Sequence, residues 1–336
     1  MEGFPNDPAS APFNAVLDPG TFEMSDMRLG GVHALMPWQE GVVALLERGD
    51  LEIGMPRMPA LFIGHGSPMN TLERNGFTQA WRSLGERLPR PRAILVVSAH
   101  WFFGATAVTA MPRPRTIHDF YGFPKELFEF EYPAPGAPDV AQEIADQVRP
   151  TWCGLDRDQW GLDHGTWSVL AHLNPEADIP VVQLSINALK PLDYHVDLGA
   201  KLAPLRDRGI LVLGSGNVVH NLGRIDPRQP NGGFDWAERF DDAAVQQLGD
   251  DAGAVLKLVE HRDYESAVPT PDHFIPLLYA AGLAASSSEP MEALIRGYAL
   301  GSLSMTCYGV GADVRCRSES GAAPLPDGVP PDQTNI

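Results

Sequence analysis

Five short runs rich in apolar residues, at 60–63, 93–98, 105–109, 180–185 and 210–214, constrain this chain more than any other feature. Runs this short, several of them without polar alternation, suit strands buried on both faces. The segments between them carry helical spacing instead. Phe77, Trp81, Leu84 and Leu88 recur along one side of the stretch after Pro68. Val140, Ile144 and Val148 align from about Asp139, and Leu198, Leu202 and Leu205 share the inner side of 192–205. Further helices are expected over 236–248 and 272–281. Strands alternating with helices of this length predict an α/β sheet covered on both faces. No internal repeat interrupts the pattern, so one compact domain is expected over 58–312, flanked by two segments of different character. The first, 1–57, is largely irregular with one helix expected over 38–51, and the second, 313–336, is Pro- and Gly-rich and reads as a disordered tail.

Charge narrows the partners. A net charge of −18 argues against nucleic acid, which requires concentrated Lys and Arg. No apolar run approaches the roughly 18 residues of a membrane span. The opening residues lack the basic start and apolar centre of a secretory signal, so a cytoplasmic location is expected. Cys153, Cys307 and Cys316 are too few and too irregularly spaced for a disulfide framework or a zinc ribbon. Any bound metal must therefore be held by His and carboxylate.

Ten histidines are present, and their placement is informative. His65 ends the run ALFIGHGSP and His100 ends AILVVSAHW, each immediately after an expected strand. Ligands of open α/β sheets bind beyond the carboxyl ends of strands, so two imidazoles at that edge can converge on one ion. The glycines flanking His65 allow a sharp turn and close approach. His220 closes a third strand region, LVLGSGNVVHN. His164 in GLDHGTWSVL and His273 in VPTPDHFIPLLY each stand where a helix begins. Taken singly, each has an ordinary reading as a hydrogen-bonded boundary residue; taken together they suggest a centre. His172 is assigned to the helix after Gly165, His195 to an amphipathic helix surface, His33 to the N-terminal stretch and His261 to a polar stretch. His118 in TIHDFYGFP is a loop residue that can face a substrate.

Six short segments in order then carry a resemblance: GHGSPMN at 64–70, SAHW at 98–101, IHDFYGFP at 117–124, DHGTWSVL at 163–170, SGNVVHN at 215–221 and PTPDHFIPLLY at 269–279. The chain resembles the bacterial 4,5-DOPA extradiol dioxygenases, members of the class III extradiol ring-cleavage enzymes. The resemblance runs from about residue 58 to about 310. It implies a single domain with a central mostly parallel or mixed sheet, and one non-haem iron(II). By the same resemblance His65 and His100 are metal ligands and His273 stands at the place of a third. His220 is the histidine beside the metal, either as acid and base or as a further ligand. His164 is a substrate-facing or supporting histidine. Many class III enzymes place a glutamate where His273 stands here, and neither Asp272 nor Glu265 is an obvious replacement. Trp101, Phe120 and Tyr121 are candidates for an aromatic wall, with His118 and Phe120 the expected substrate contacts.

The chemistry implied is opening of a catechol such as 3,4-dihydroxyphenylalanine by dioxygen, next to rather than between its hydroxyls. Three protein ligands on one face of Fe(2+) leave two positions for the adjacent oxygens of a catechol and one for dioxygen. Zn(2+) fits the same donors but has no redox chemistry, so a zinc-dependent hydrolase is the competing enzyme reading. A non-catalytic binding protein on the same scaffold is the other. Sequence does not choose the oligomeric state.

Overall fold

The computed structural model describes residues 57–311. The segments expected as an N-terminal extension and a C-terminal tail, the helix over 38–51, His33 and Cys316 therefore lie outside the described residues. Ten strands occur within them: β1 (Ala60–Gly64), β2 (Ala93–Phe103), β3 (Ala107–Thr109), β4 (Gly154–Asp156), β5 (Val181–Asn187), β6 (Ile210–Gly216), β7 (Met291–Ile295), β8 (Tyr298–Ala299), β9 (Leu303–Ser304) and β10 (Cys307–Val310). Eight form one sheet in the order β4-β3-β5-β2-β6-β1-β10-β7, and β8 pairs with β9 apart from it. The central strands β5, β2, β6 and β1 are mutually parallel. β10 and β3 run antiparallel to their inner neighbours, so the sheet is mixed. The edge strands β4 and β7, and β10 beside β7, were not among the runs that stand out in the sequence.

Strand alternation divides the apolar residues between two layers. Ala60 and Phe62 of β1, with Ala93, Leu95 and Val97 of β2, face one core; Leu61, Ile63, Ile94 and Val96 face the other. The longer helices cover both faces: α1 (Gly76–Arg87), α2 (Pro138–Gln147), α3 (His164–Leu173), α4 (Leu192–Leu202), α5 (Asp235–Asp250) and α6 (Ile275–Ser287). Trp81 of α1 and Trp167 of α3 belong to the second core, and Leu198 of α4 and Phe240 of α5 to the first. α1 opens with a capping box, because Asn75 accepts from Thr78 N and the Thr78 hydroxyl receives Asn75 N. Among the described residues no helix is long and apolar enough to cross a membrane.

Several boundaries differ from expectation for identifiable reasons. The helix expected over 192–205 stops at Leu202 and continues as a 3₁₀ segment, Ala203–Arg208, with Pro204 in its first turn. The helix expected from Asp272 starts at Ile275, with Pro276 in its first turn, and runs on to Ser287. The strand expected over 105–109 shrinks to Ala107–Thr109. β2 extends past His100 to Phe103, so His100 lies inside an irregular stretch of the strand rather than after it. His195 corrects a further expectation: it is wholly buried, and its Nδ1 lies 3.1 Å from the hydroxyl of Tyr279 on α6.

Candidate metal centre

Because β1, β2 and β6 are parallel, their carboxyl ends share one edge, and the five boundary histidines gather there or on the loops beside it. The hydrogen-bond ladder between β1 and β6 continues into His65, whose N–H donates to Gly216 O at 3.1 Å, while Asn70 Nδ2 donates to His65 O. The turn after it is made at Gly66, whose φ of 58° suits glycine. His100 is presented by a break in register. β2 pairs with β5 through Val97↔Leu184 and next through Phe102↔Ile186, so four residues of β2 stand opposite one of β5. Such bulges re-aim side chains, and here His100 Nε2 comes within 3.3 Å of His65 Nε2.

His273 arrives on the loop ahead of α6. Asn217 N donates to His273 O, and a Cβ on Gly216 would stand 2.2 Å from that oxygen, so only glycine admits this approach. One ring nitrogen from each of His65, His100 and His273 lies within 4.8 Å of the others. His220 is four residues beyond the end of β6 rather than closing it, held by a bridge to Leu303 and by its N–H to Ala267 O. Its ring lies parallel on that of His273, with centroids 3.5 Å apart.

The surrounding hydrogen bonds fix which nitrogens carry protons. The Ser215 hydroxyl donates its only proton to Gly165 O, so at His65 it accepts from Nδ1–H at 2.9 Å. His65 Nε2 is therefore a bare acceptor. His273 Nδ1 donates to Asp272 Oδ2 at 2.5 Å, and its Nε2 is buried without a hydrogen-bond partner. The same holds for His164: Nδ1 donates to Asp119 Oδ1 at 2.9 Å and Nε2 is buried without a partner. Asp119 also accepts from His164 N and faces His100 Nδ1 at 3.4 Å. Ligating imidazoles characteristically show this pattern, one nitrogen tied to an acceptor and the other left for the ion.

The electrostatics agree. Burial, reinforced by His100, His273, His164 and His220, holds His65 well below the ordinary imidazole range. Burial and then His164 lower His100 similarly, with Asp119 partly offsetting them. Both rings are thus neutral donors near neutrality, the form that binds metal. Burial tends to raise the Asp119 and Asp272 carboxyls, but the neighbouring imidazoles outweigh it and hold both below the usual carboxylate range. Two nitrogens about 2.1 Å from a common ion stand about 3.0 Å apart at a right angle and about 3.4 Å apart at a tetrahedral angle. The 3.3 Å between His65 and His100 falls in that interval, so the residues present fit a divalent cation.

The supporting groups are what the sequence reading missed. Asp163 caps α3, accepting from Thr166 N, and also accepts from Ser98 Oγ at 2.7 Å and from Gln183 Nε2. Burial and then Asp119 push its carboxyl up to about 6. Asp119 and Asp163 both lie inside motifs recognised by their histidines, beside His118 and His164, so the signal was present but was read for imidazole alone. His118 donates Nε2–H to Phe130 O and packs against Phe120, Phe128 and Trp167, outside the imidazole cluster. Phe120 is buried, with its ring 5.6 Å from that of His164. An aromatic wall does exist beside His100. A cavity of about 850 Å³ opens there, lined by His100, Trp101, Phe103, Trp152 and Trp160 among others. Trp101 and Trp160 lie parallel with centroids 5.6 Å apart. Tyr121, by contrast, is largely exposed.

Comparison with known proteins gives a consistent result. Residues 55–311 match the family described as "Catalytic LigB subunit of aromatic ring-opening dioxygenase". An Escherichia coli (strain K12) protein named "4,5-DOPA dioxygenase extradiol" is 48% identical over 267 residues, covering 78% of this chain and 98% of that protein. A Beta vulgaris protein of the same name is 37% identical over 238 residues, covering 68% of this chain and 87% of that protein. The crystal structure of an uncharacterized Escherichia coli K12 protein superposes with a TM-score of 0.66 at 43% identity, covering 76% of this chain and all of that one.

Proposed function

This chain belongs to the family of the catalytic LigB subunit of aromatic ring-opening dioxygenases and is an extradiol dioxygenase, and from that premise we propose that it binds Fe(2+) through His65, His100 and His273 to open a catechol with dioxygen. The family implies a metal cofactor, and the observation that carries the assignment is the meeting of three buried imidazoles whose Nδ1 atoms face oxygen partners. When bound, iron(II) supplies the redox chemistry that joins dioxygen to an aromatic ring. Zn(2+) fits the same donors, so recovered zinc would report affinity rather than function.

The protein's own part is positioning and proton handling. The Asp119 carboxylate holds the Nδ1 proton of His164 and leaves Nε2 as an oriented base, so His164 takes a proton from the incoming catechol. His164 returns that proton as the ring opens, and His220, parallel to His273, completes the cluster as a fourth ligand or as a second acid and base. Phe120 walls the site beside His164, and His118 braces Phe120 against Phe130 and Trp167. The relatives' names make 3,4-dihydroxyphenylalanine, cleaved at the 4,5 position, the first substrate to test.

The test is anaerobic loading with Fe(2+) or Zn(2+), followed by oxygen uptake and product spectra over a panel of catechols. Iron-dependent uptake with a ring-opened product is expected, together with loss of metal retention in His65→Ala and His100→Ala. Uptake that is indifferent to which metal is loaded, or full metal retention in both variants, refutes the assignment.

A further inference from the structure

The cavity beside His100 is larger than its proposed guest requires. At about 850 Å³ it falls in the range of about 300–1,000 Å³ that holds drug-sized ligands, well beyond a bare catechol ring. Five aromatic side chains line it: Trp101, Phe102, Phe103, Trp152 and Trp160. Phe102, Phe103 and Trp152 are 37%, 39% and 70% exposed, so the aromatic surface continues outward from the metal end. Arg157 is the only Arg or Lys among the residues lining this cavity.

Asp156 and Asp158 also line the cavity, but neither pairs with Arg157. Asp156 spends both carboxylate oxygens on its own turn: Oδ1 accepts from Asp158 N and Gln159 N, and Oδ2 accepts from Trp160 N. Asp158 Oδ1 accepts from the Gln159 side-chain amide at 2.7 Å. Gln159 O is in turn held by Arg115. The loop is therefore fixed by its own hydrogen bonds, while Arg157 is exposed and makes no hydrogen bond or ion pair within the described residues. A guanidinium without a partner beside an aromatic-lined space matches a planar anion, and a carboxylate is its geometric complement.

We infer that Arg157 binds the side-chain carboxylate of the substrate, so that the preferred substrates are catechols carrying an acidic side chain. The inference rests on the catechol reading above. With the two hydroxyls held at the histidine end, the remainder of the ring and its substituent extend along Trp101 and Trp160. The carboxylate then meets Arg157, and no bond is made or broken there. Arg157 acts as a positioning residue that selects among catechols.

The test uses the Fe(2+)-loaded full chain and three probes: hydrocaffeate as the acid, 4-methylcatechol as the neutral analogue and dopamine as the cation. The contact is partly solvent-exposed, so Arg157→Gln should lower kcat/KM for hydrocaffeate relative to 4-methylcatechol by about fivefold to tenfold, mainly through KM. Arg157→Glu should move preference toward dopamine, a reversal that a general disturbance of the loop would not produce. Equal losses on all three probes, or unchanged ratios in both variants, would overturn the inference while leaving the catechol reading intact. If the wild-type protein opens none of the three and does not open 3,4-dihydroxyphenylalanine either, the catechol reading itself fails, and this inference with it.

Discussion

Replacing Asp272 tests whether the hydrogen bonds around the histidines prepare them for a metal. The His273 ring is 5% exposed and gives its Nδ1 proton to Asp272, which is 23% exposed. The neighbouring imidazole holds that carboxyl in its ionised form despite the opposing effect of burial. Asp272→Asn keeps an oxygen that can accept but removes the charge. Hydrogen bonds to charged groups contribute about 1.5–3 kcal/mol and neutral ones about 0.5–1.5 kcal/mol, a difference of about 1–1.5 kcal/mol. The variant should therefore bind the ion about tenfold more weakly. Asp272→Ala removes the acceptor and frees the imidazole to place its proton on Nε2, where it blocks ligation, so the loss should grow towards about 100-fold. Chelator competition under anaerobic conditions measures both, with circular dichroism confirming the fold. Affinities within twofold of wild type in both variants would refute the idea that Asp272 sets the tautomer of a ligand.

Two other buried groups give stability predictions. Asp241 is fully buried on α5 and accepts from Ser304 Oγ, Thr306 Oγ1, Arg296 Nη2 and Tyr298 OH, so Asp241→Ala should cost about 3–5 kcal/mol in urea unfolding; a loss under about 1 kcal/mol would show that these bonds contribute little net stability. Burial lowers His195 from 6.5 to about 4, so the unfolded chain binds its proton first on acidification. Its contribution is complete above about pH 6.5 and is lost as pH falls towards 4, at most about 3 kcal/mol. His195→Gln should flatten that part of the stability profile, and a profile parallel to wild type from pH 7 to about 4 would contradict it.

The parts of the fold that could be read from sequence are those where composition directly reports burial. β1, β2, β5 and β6 are the parallel centre, buried on both faces, and they appear as the most apolar runs. β7 and β10 could not be found that way. MEALI and CYGV are short and carry Glu and Gly, and they become strands only because β1 offers an edge for β10 to pair with. His195 was misplaced because its helix packs on more than one side: α4 lies against α6 and also meets α2, so a position that looks like a polar flank is enclosed by Tyr279. Periodicity reports one buried face and does not register a second.

The same distinction separates the ligands from their supports. Histidines at strand ends can be recognised because the carboxyl edge of a parallel sheet is a fixed location, whatever the loops do. Asp119 has no such address. It reaches His164 and His100 from a loop whose course depends on the Thr116–Leu162 bridge and on Trp167 Nε1 donating to Ile117 O. Ser215, in contrast, lies on β6 and was available to any reading that followed the strand register, since it pairs with Ile63 of β1 and Ser98 of β2. Those two serines in register explain how the site is held without extra elements. Ser215 receives His65 and ties it to Gly165, and Ser98 donates to Asp163, the cap of the helix that begins with His164. One rung of the sheet thus fixes His65 and the start of α3 together, while the break in β2 just beyond that rung turns His100 toward them. His65 and His100 converge because sheet register leaves them little freedom to do otherwise.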